Sequence, residues 1–265
     1  MTNAAGLPDS GKTDYLAKTM ASDEAIISQL LSELDSDRLK HMHGAAAEII
    51  ECYRVLRKGG LNVVGELLKG QGTFYEWNHF PEGDIYDSDS HAQYYYHAHR
   101  GSEVEHGHFH TFVRVKGMPK GLSPVPHEGT EPWPEGDERL SHLIAVSMDK
   151  FGFPIGLFTT NRWVTGENWY RAEDVIAMLD RFVIDHANPS WPVNRWLTAM
   201  LRLFRPQIEI LLVARDRAVE AHKVRIGDAD VFEDRALEIT SDLPISVETQ
   251  TKALDSELRA RGLIG

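Results

Sequence analysis

A chain of 265 residues with 42% hydrophobic content is long enough to bury a full core without cross-links and too apolar to be wholly disordered. Its 28 Lys and Arg against 40 Asp and Glu give a formal charge of −12, which repels phosphate backbones and anionic lipid and so argues against nucleic-acid and membrane partners. The single cysteine, Cys52, excludes an intrachain disulfide and any cysteine-rich zinc, iron–sulfur or CxxC redox site.

Residues 1–20 are polar, carry Gly6, Pro8 and Gly11, and read as a mobile tail without an apolar signal-peptide core. The longest apolar segment, around Ile208 to Ala214, holds Glu209 and is too short to span a bilayer, so a cytoplasmic location is expected. Residues 21–265 are expected to form one domain. Two helical patterns come first, and in the second Leu39, Met42, Ala46, Ile49, Ile50, Tyr53 and Leu56 recur at spacings of three and four. Gly59 and Gly60 stop that helix, and Cys52 within it reads as a buried, inert thiol. A short helix from Asn62 to Lys69 ends the helical part, which spans 21–70.

From Thr73 the hydrophobic period becomes two. HAQYYYHAHR, VEHGHFHTFVRV, LSHLIAVSMD and PIGLFTTN read as four strands, with Asp149-Lys150-Phe151-Gly152 as the turn between the last two. Short connections make the sheet, over 73–161, antiparallel. Between the second and third strands, Lys116 to Arg139 contains Pro119, Pro124, Pro126, Pro132 and Pro134, and reads either as a functional lid or as a tolerated insertion.

Helical patterns resume over 171–184, from Pro192 to Phe204, and from Pro206 to Lys223. Leu237 to Ile245 is a short strand candidate, and Ser246 can cap a last helix that ends near Gly262. The expected fold is α+β, a central antiparallel β-sheet with N-terminal and C-terminal helices packed around it.

The thirteen histidines matter for their placement. In YYYHAHRGSEVEHGHFHTFVRV, alternation puts Tyr95, His97 and His99 on one face of the first strand, and His106, His108, His110, Phe112 and Arg114 on one face of the next. Two registers, His99 opposite His106 or His99 opposite His108, place all five imidazoles on the same side, whereas a one-residue slip separates them unless a bulge intervenes. Cross-strand Cβ atoms about 4.5–5.5 Å apart let such imidazoles reach one ion at about 2.0–2.1 Å. His97, His99, His106, His108 and His110 are therefore the candidate ligands of one divalent transition metal, Fe, Cu, Zn or Ni. A metal-free polar network and an exposed histidine patch are the plainer alternatives.

Tyr95, Glu103 and Arg114 are candidate catalytic groups: Tyr95 to hydrogen-bond a substrate, Glu103 as a carboxylate beside the metal, Arg114 to neutralise an anionic substrate. Glu105 has the wrong parity for the histidine face, which favours Glu103. His142, at the start of the third strand, reads as an extension of the cluster or as an ordinary strand-end histidine. In WNHFPEGDIYDSDSH, residues His79, Asp84, Asp87 and Asp89 lack the glycine and terminal glutamate of a calcium loop, and Asx-turn chemistry accounts for them. TTNRWVTGENWY reads as a pocket wall or a packed strand-to-helix corner. No phosphate-cradling glycine loop, Gly-x-Ser-x-Gly elbow or His-Glu-x-x-His helix occurs.

His97-Ala-His99-Arg-Gly-Ser-Glu103 resembles the first metal motif of the cupins over about seven residues, with His91 and His110 where that motif carries glycines. The resemblance implies a metal held by imidazoles on a sheet. Over most of its length, through WNHFPEGDIYD, YYYHAH, EHGHFHTF and TGENWY, the chain is similar to a bacterial family of uncharacterised function. The expected function is a mononuclear metalloenzyme that oxidises a small molecule. A zinc-dependent hydrolase and a non-catalytic metal or haem carrier or sensor are the rivals, and the oligomeric state is open.

Overall fold

A computed structural model describes residues 24–73, 75, 77–98, 104–127, 129 and 131–265. The expected tail at 1–20 lies outside these residues, as do two candidate site residues, His99 and Glu103.

The helices begin and end where local chemistry dictates. Helix α1 is Glu24–Ser32 and α2 is Ser36–Lys58. The Asp35 carboxylate accepts the Arg38 backbone N–H at 2.8 Å to start α2, and Gly60 takes φ 72° just beyond its end. Asn62 caps α3, Val63–Leu68, in the same way. In the C-terminal half α4 is Arg162–Thr165, α5 Ala172–Met178, α6 Trp191–Leu203, α7 Arg205–Ile226 and α8 Val247–Ala260. Prolines occupy the first turns of α6 and α7, where no N–H is missed, and Ser246 caps α8 through the Thr249 N–H.

Six strands form one antiparallel sheet in sequence order: β1 Phe80–Tyr86, β2 Ala92–His97, β3 Glu105–Arg114, β4 Leu140–Asp149, β5 Pro154–Thr160 and β6 Ile239–Pro244. The fold is α+β, as expected. Strand β1 escapes the hydrophobic pattern because Pro81, Gly83 and Asp84 read as turn residues; Gly83 and Asp84 take positive φ inside an irregular pairing with β2. The β4–β5 turn is held by the Asp149 carboxylate, which accepts the backbone N–H groups of Phe151 and Phe153. A simple meander differs from the paired Greek keys of a cupin jelly roll, so the cupin likeness does not extend to topology.

The helices cover one face of this sheet. Tyr94, Tyr96, Phe109, Ile144, Val146, Met148, Leu157 and Leu243 share a core with Leu39, Ile49, Trp196, Leu197 and Leu211. Residues of opposite parity, including Tyr95, His97, His108, His110 and Phe112, point to the other face. The 116–139 segment is fastened rather than free: Val125 N–H bonds Trp169 O, Asn168 Nδ2 bonds Pro134 O and Arg162 Nη2 bonds Pro132 O. Asn161 to Asn168 forms the packed corner that receives it, with Asn161, Arg162, Glu167 and Asn168 all buried. Among the described residues no helix is long and apolar enough to cross a membrane.

Candidate metal centre

The register between β2 and β3 decides which imidazoles meet. Tyr95 pairs with His110 and His97 with His108, the first of the two registers that keep the histidines on one side. One ring nitrogen from each of His97, His108 and His110 lies within 4.8 Å of the other two, and all three residues are buried. His97 Nε2 and His108 Nε2 are 2.8 Å apart. Two nitrogens bound to one ion at about 2.0–2.1 Å sit roughly 2.9 Å apart at a right angle and about 3.4 Å apart in a tetrahedron, so this pair already has the separation of neighbouring ligands.

The outer nitrogens explain why the inner ones face the centre. His108 Nδ1 lies 2.6 Å from Glu105 Oε1, and Glu105 Oε2 accepts the Ser147 hydroxyl at 2.9 Å. With its Nδ1 proton on a carboxylate, His108 presents the Nε2 lone pair to the centre. His97 then donates from Nε2 to His108, and a metal ion would take the place of that one proton. His110 Nδ1 lies 3.0 Å from His142 Nε2. Burial, then the charges of Arg215 and His108, push His142 down to about 3 from its ordinary 6.5, so it is neutral and accepts the His110 Nδ1–H. That leaves the His110 Nε2 lone pair for the centre. The ring edges are lined by Phe158, 5.1 Å from His108, and by Tyr95, 5.3 Å from His97 and 5.1 Å from His110.

Two β-bulges correct the expectations from strict alternation. The pairing of β3 with β4 slips between Glu105 and Gly107. Gly107 is needed there, because a Cβ would come within 2.6 Å of His97 O and the Tyr96 hydroxyl. Beyond the slip, parity reverses. Glu105, expected off the histidine face, turns onto it, and His106, expected on it, turns away and bonds the Tyr96 hydroxyl at 2.7 Å on the helix-covered side. Among the described residues the converging ring nitrogens are those of His97, His108 and His110, and the His106 ring bonds Tyr96 instead. A second slip between Thr111 and Phe112 puts Leu143 into the core and brings His142 to His110. The histidine at the start of the third strand thus extends the cluster, as a partner of a ligand candidate.

The remaining candidates fall into place around this centre. Tyr95 is buried, its hydroxyl held well above the usual phenol range by burial, and its ring stacks on His79 with centroids 3.6 Å apart. Arg114 sits further along the same face, bonded to Gln93 at 2.7 Å and Glu138 at 2.8 Å, away from the three ring nitrogens. Asp87 is an Asx turn, its Oδ1 accepting the Asp89 and Ser90 N–H groups. Asp84 instead bonds His79 Nδ1 and Gln93 Nε2. Glu167 was singled out by no motif: it is fully buried, accepts the His142 N–H at 2.5 Å, and burial lifts it to about 7. Cys52 is buried and its thiol is pushed up to about 11, in keeping with an inert role.

Fold and site together define an α+β protein whose antiparallel sheet carries a buried histidine triad able to hold a metal ion. The chain belongs to the DUF6969 family, a domain of unknown function whose model matches residues 43–245. No curated protein and no solved structure matches it.

Proposed function

We propose that the chain is a metalloenzyme that holds one divalent transition metal on His97, His108 and His110 and oxidises a small molecule. The observation that carries this reading is the convergence of three buried ring nitrogens within 4.8 Å, with Glu105 fixing the tautomer of His108 from behind. An all-imidazole set suits Fe, Cu, Zn and Ni. A redox-active ion with three protein ligands leaves coordination positions for dioxygen chemistry on a small substrate, whereas zinc in the same place would activate water for hydrolysis. The aromatic lining of Tyr95, Phe112 and Phe158 favours the redox reading, since it excludes water from the ring edges.

A metal carrier or sensor without turnover is the second reading, supported by the depth of His108 and His110, both 0% exposed. Elemental analysis of protein purified without a histidine tag, after incubation with each metal, tests both. About one equivalent is expected, lost on joint replacement H97A/H108A; no retained metal under any supply overturns the site. Oxygen uptake by the iron- or copper-loaded protein with candidate small molecules separates enzyme from carrier.

A further inference from the structure

A polar cavity of about 880 Å³ opens beside the histidine face. His79 lines it and stacks on Tyr95, whose ring in turn packs against His97 and His110, so the cavity lies one aromatic layer from the triad. Its lining includes both Asp84 and Arg114, yet the two do not pair with each other. The Gln93 side chain lies between them, 6% exposed, donating from Nε2 to Asp84 Oδ2 at 2.7 Å and accepting at Oε1 from Arg114 Nε at 2.7 Å. One amide thus holds a carboxylate and a guanidinium apart on the same wall. The nearby backbone is unusual: Trp77 and Asp84 are two of the three non-glycine residues with positive φ among the described residues, at 74° and 59°. Such strain persists only where the surroundings hold it, and it is enriched at ligand sites.

We infer that this cavity, beside the proposed centre, binds and selects a small zwitterion of the amino-acid class, with its ammonium group toward Asp84 and its carboxylate toward Arg114. The spacing is set by a side-chain amide and two hydrogen bonds, which keeps the carboxylate and the guanidinium within about 8 Å of each other. Glu82, also in the lining, adds negative potential to the cavity. The existing partner of Arg114, Glu138, is 77% exposed, so an incoming carboxylate displaces a weak surface pair. His79 and the exposed Tyr75 provide flat walls for the hydrocarbon part. This assignment rests on the metal-centre reading for its chemistry, but ligand binding itself needs no metal.

Calorimetry on the full chain without added metal tests it with three probes of one skeleton: 4-aminobutanoate, butylamine and butanoate. The zwitterion is expected to bind at least tenfold tighter than either singly charged probe. Asp84→Asn is expected to lower its affinity at least tenfold and leave butanoate unchanged; Arg114→Gln is expected to do the same and leave butylamine unchanged. Equal affinity for butylamine and the zwitterion, equal affinity for butanoate and the zwitterion, or no heat with any of the three overturns the proposal. Near-parental unfolding midpoints of both variants establish that lost binding is local. Metal content, measured separately, stays at the parental level if only the cavity assignment fails and is absent if the metal centre fails.

Discussion

His108 and Glu105 meet at 2.6 Å, three residues apart on one strand, because a bulge at Gly107 turns the carboxylate onto the imidazole face. A carboxylate behind a ligand imidazole fixes its tautomer and raises its basicity, and its loss typically costs 10–100-fold in metal affinity. Glu105→Ala is therefore expected to weaken metal binding by about one to two decades, with Glu105→Gln nearer the parent because the amide oxygen still accepts the Nδ1 proton. Competition against a chromophoric chelator measures this; an unchanged affinity in the alanine variant would remove Glu105 from the centre.

His106 provides the matching negative control. It sits two residues from His108, but its ring bonds the Tyr96 hydroxyl on the opposite side of the sheet. H106A is expected to retain about one equivalent of metal and to lose about 1 kcal/mol of stability, the usual contribution of one hydrogen bond. H108A is expected to lose the metal. Should H106A be the variant that empties the site, the bulge is misplaced and the unbroken alternation holds.

Glu167 and His142 give the metal-free protein opposing pH dependences. Glu167 is lifted by burial from 4.5 to about 7, so the folded state binds that proton more tightly than the unfolded chain. Its stabilising contribution is complete below about 4.5 and is lost as the pH rises to about 7. His142 is depressed from 6.5 to about 3, so its contribution is complete above about 6.5 and is lost as the pH falls toward 3. Glu167→Gln keeps an acceptor for the His142 N–H and removes the carboxyl titration. Relative to the parent, the variant is expected to gain stability as pH rises from about 4.5 to about 7, by no more than about 3 kcal/mol. Urea unfolding at steps of pH reads the difference, and parallel curves for the two proteins contradict it.

The reach of the sequence follows from where its periodicities hold. Alternation placed His97, His108 and His110 on one face, and parity restricted the β2–β3 pairing to two registers, one of which the strands adopt. Helix ends were legible wherever a side chain or a proline sets them, as at Ser246 and Pro206. Alternation failed where an extra residue enters a strand. Nothing in Glu105-His106-Gly107 announces a bulge except the glycine, whose need arises from the close approach of Tyr96 and His97 across the sheet. For the same reason the sequence leaves His142 between two readings, since only the slip opposite Thr111 and Phe112 turns it toward His110. Glu167 was invisible because the contact that ties it to the centre is the His142 backbone N–H of β4, 25 residues earlier in the chain, and no local pattern encodes such a contact.

Cys52 supplies a probe of the helical layer that is independent of any metal. It lies on the buried face of α2, 4% exposed, and burial together with the neighbouring Glu48 carboxylate pushes its thiol to about 11 from 9.0. At pH 8 the thiolate fraction is then about a hundredfold lower in the folded protein than in the unfolded chain, and access is restricted as well. Iodoacetamide is expected to modify Cys52 at least 100-fold more slowly in buffer than in urea, with mass spectrometry counting the adduct. Glu48 also forms an ion pair with Arg195 of α6. Native labelling within threefold of the rate in urea would mean that the α2 face is open, and the packing that supports the sheet from behind would have to be redrawn.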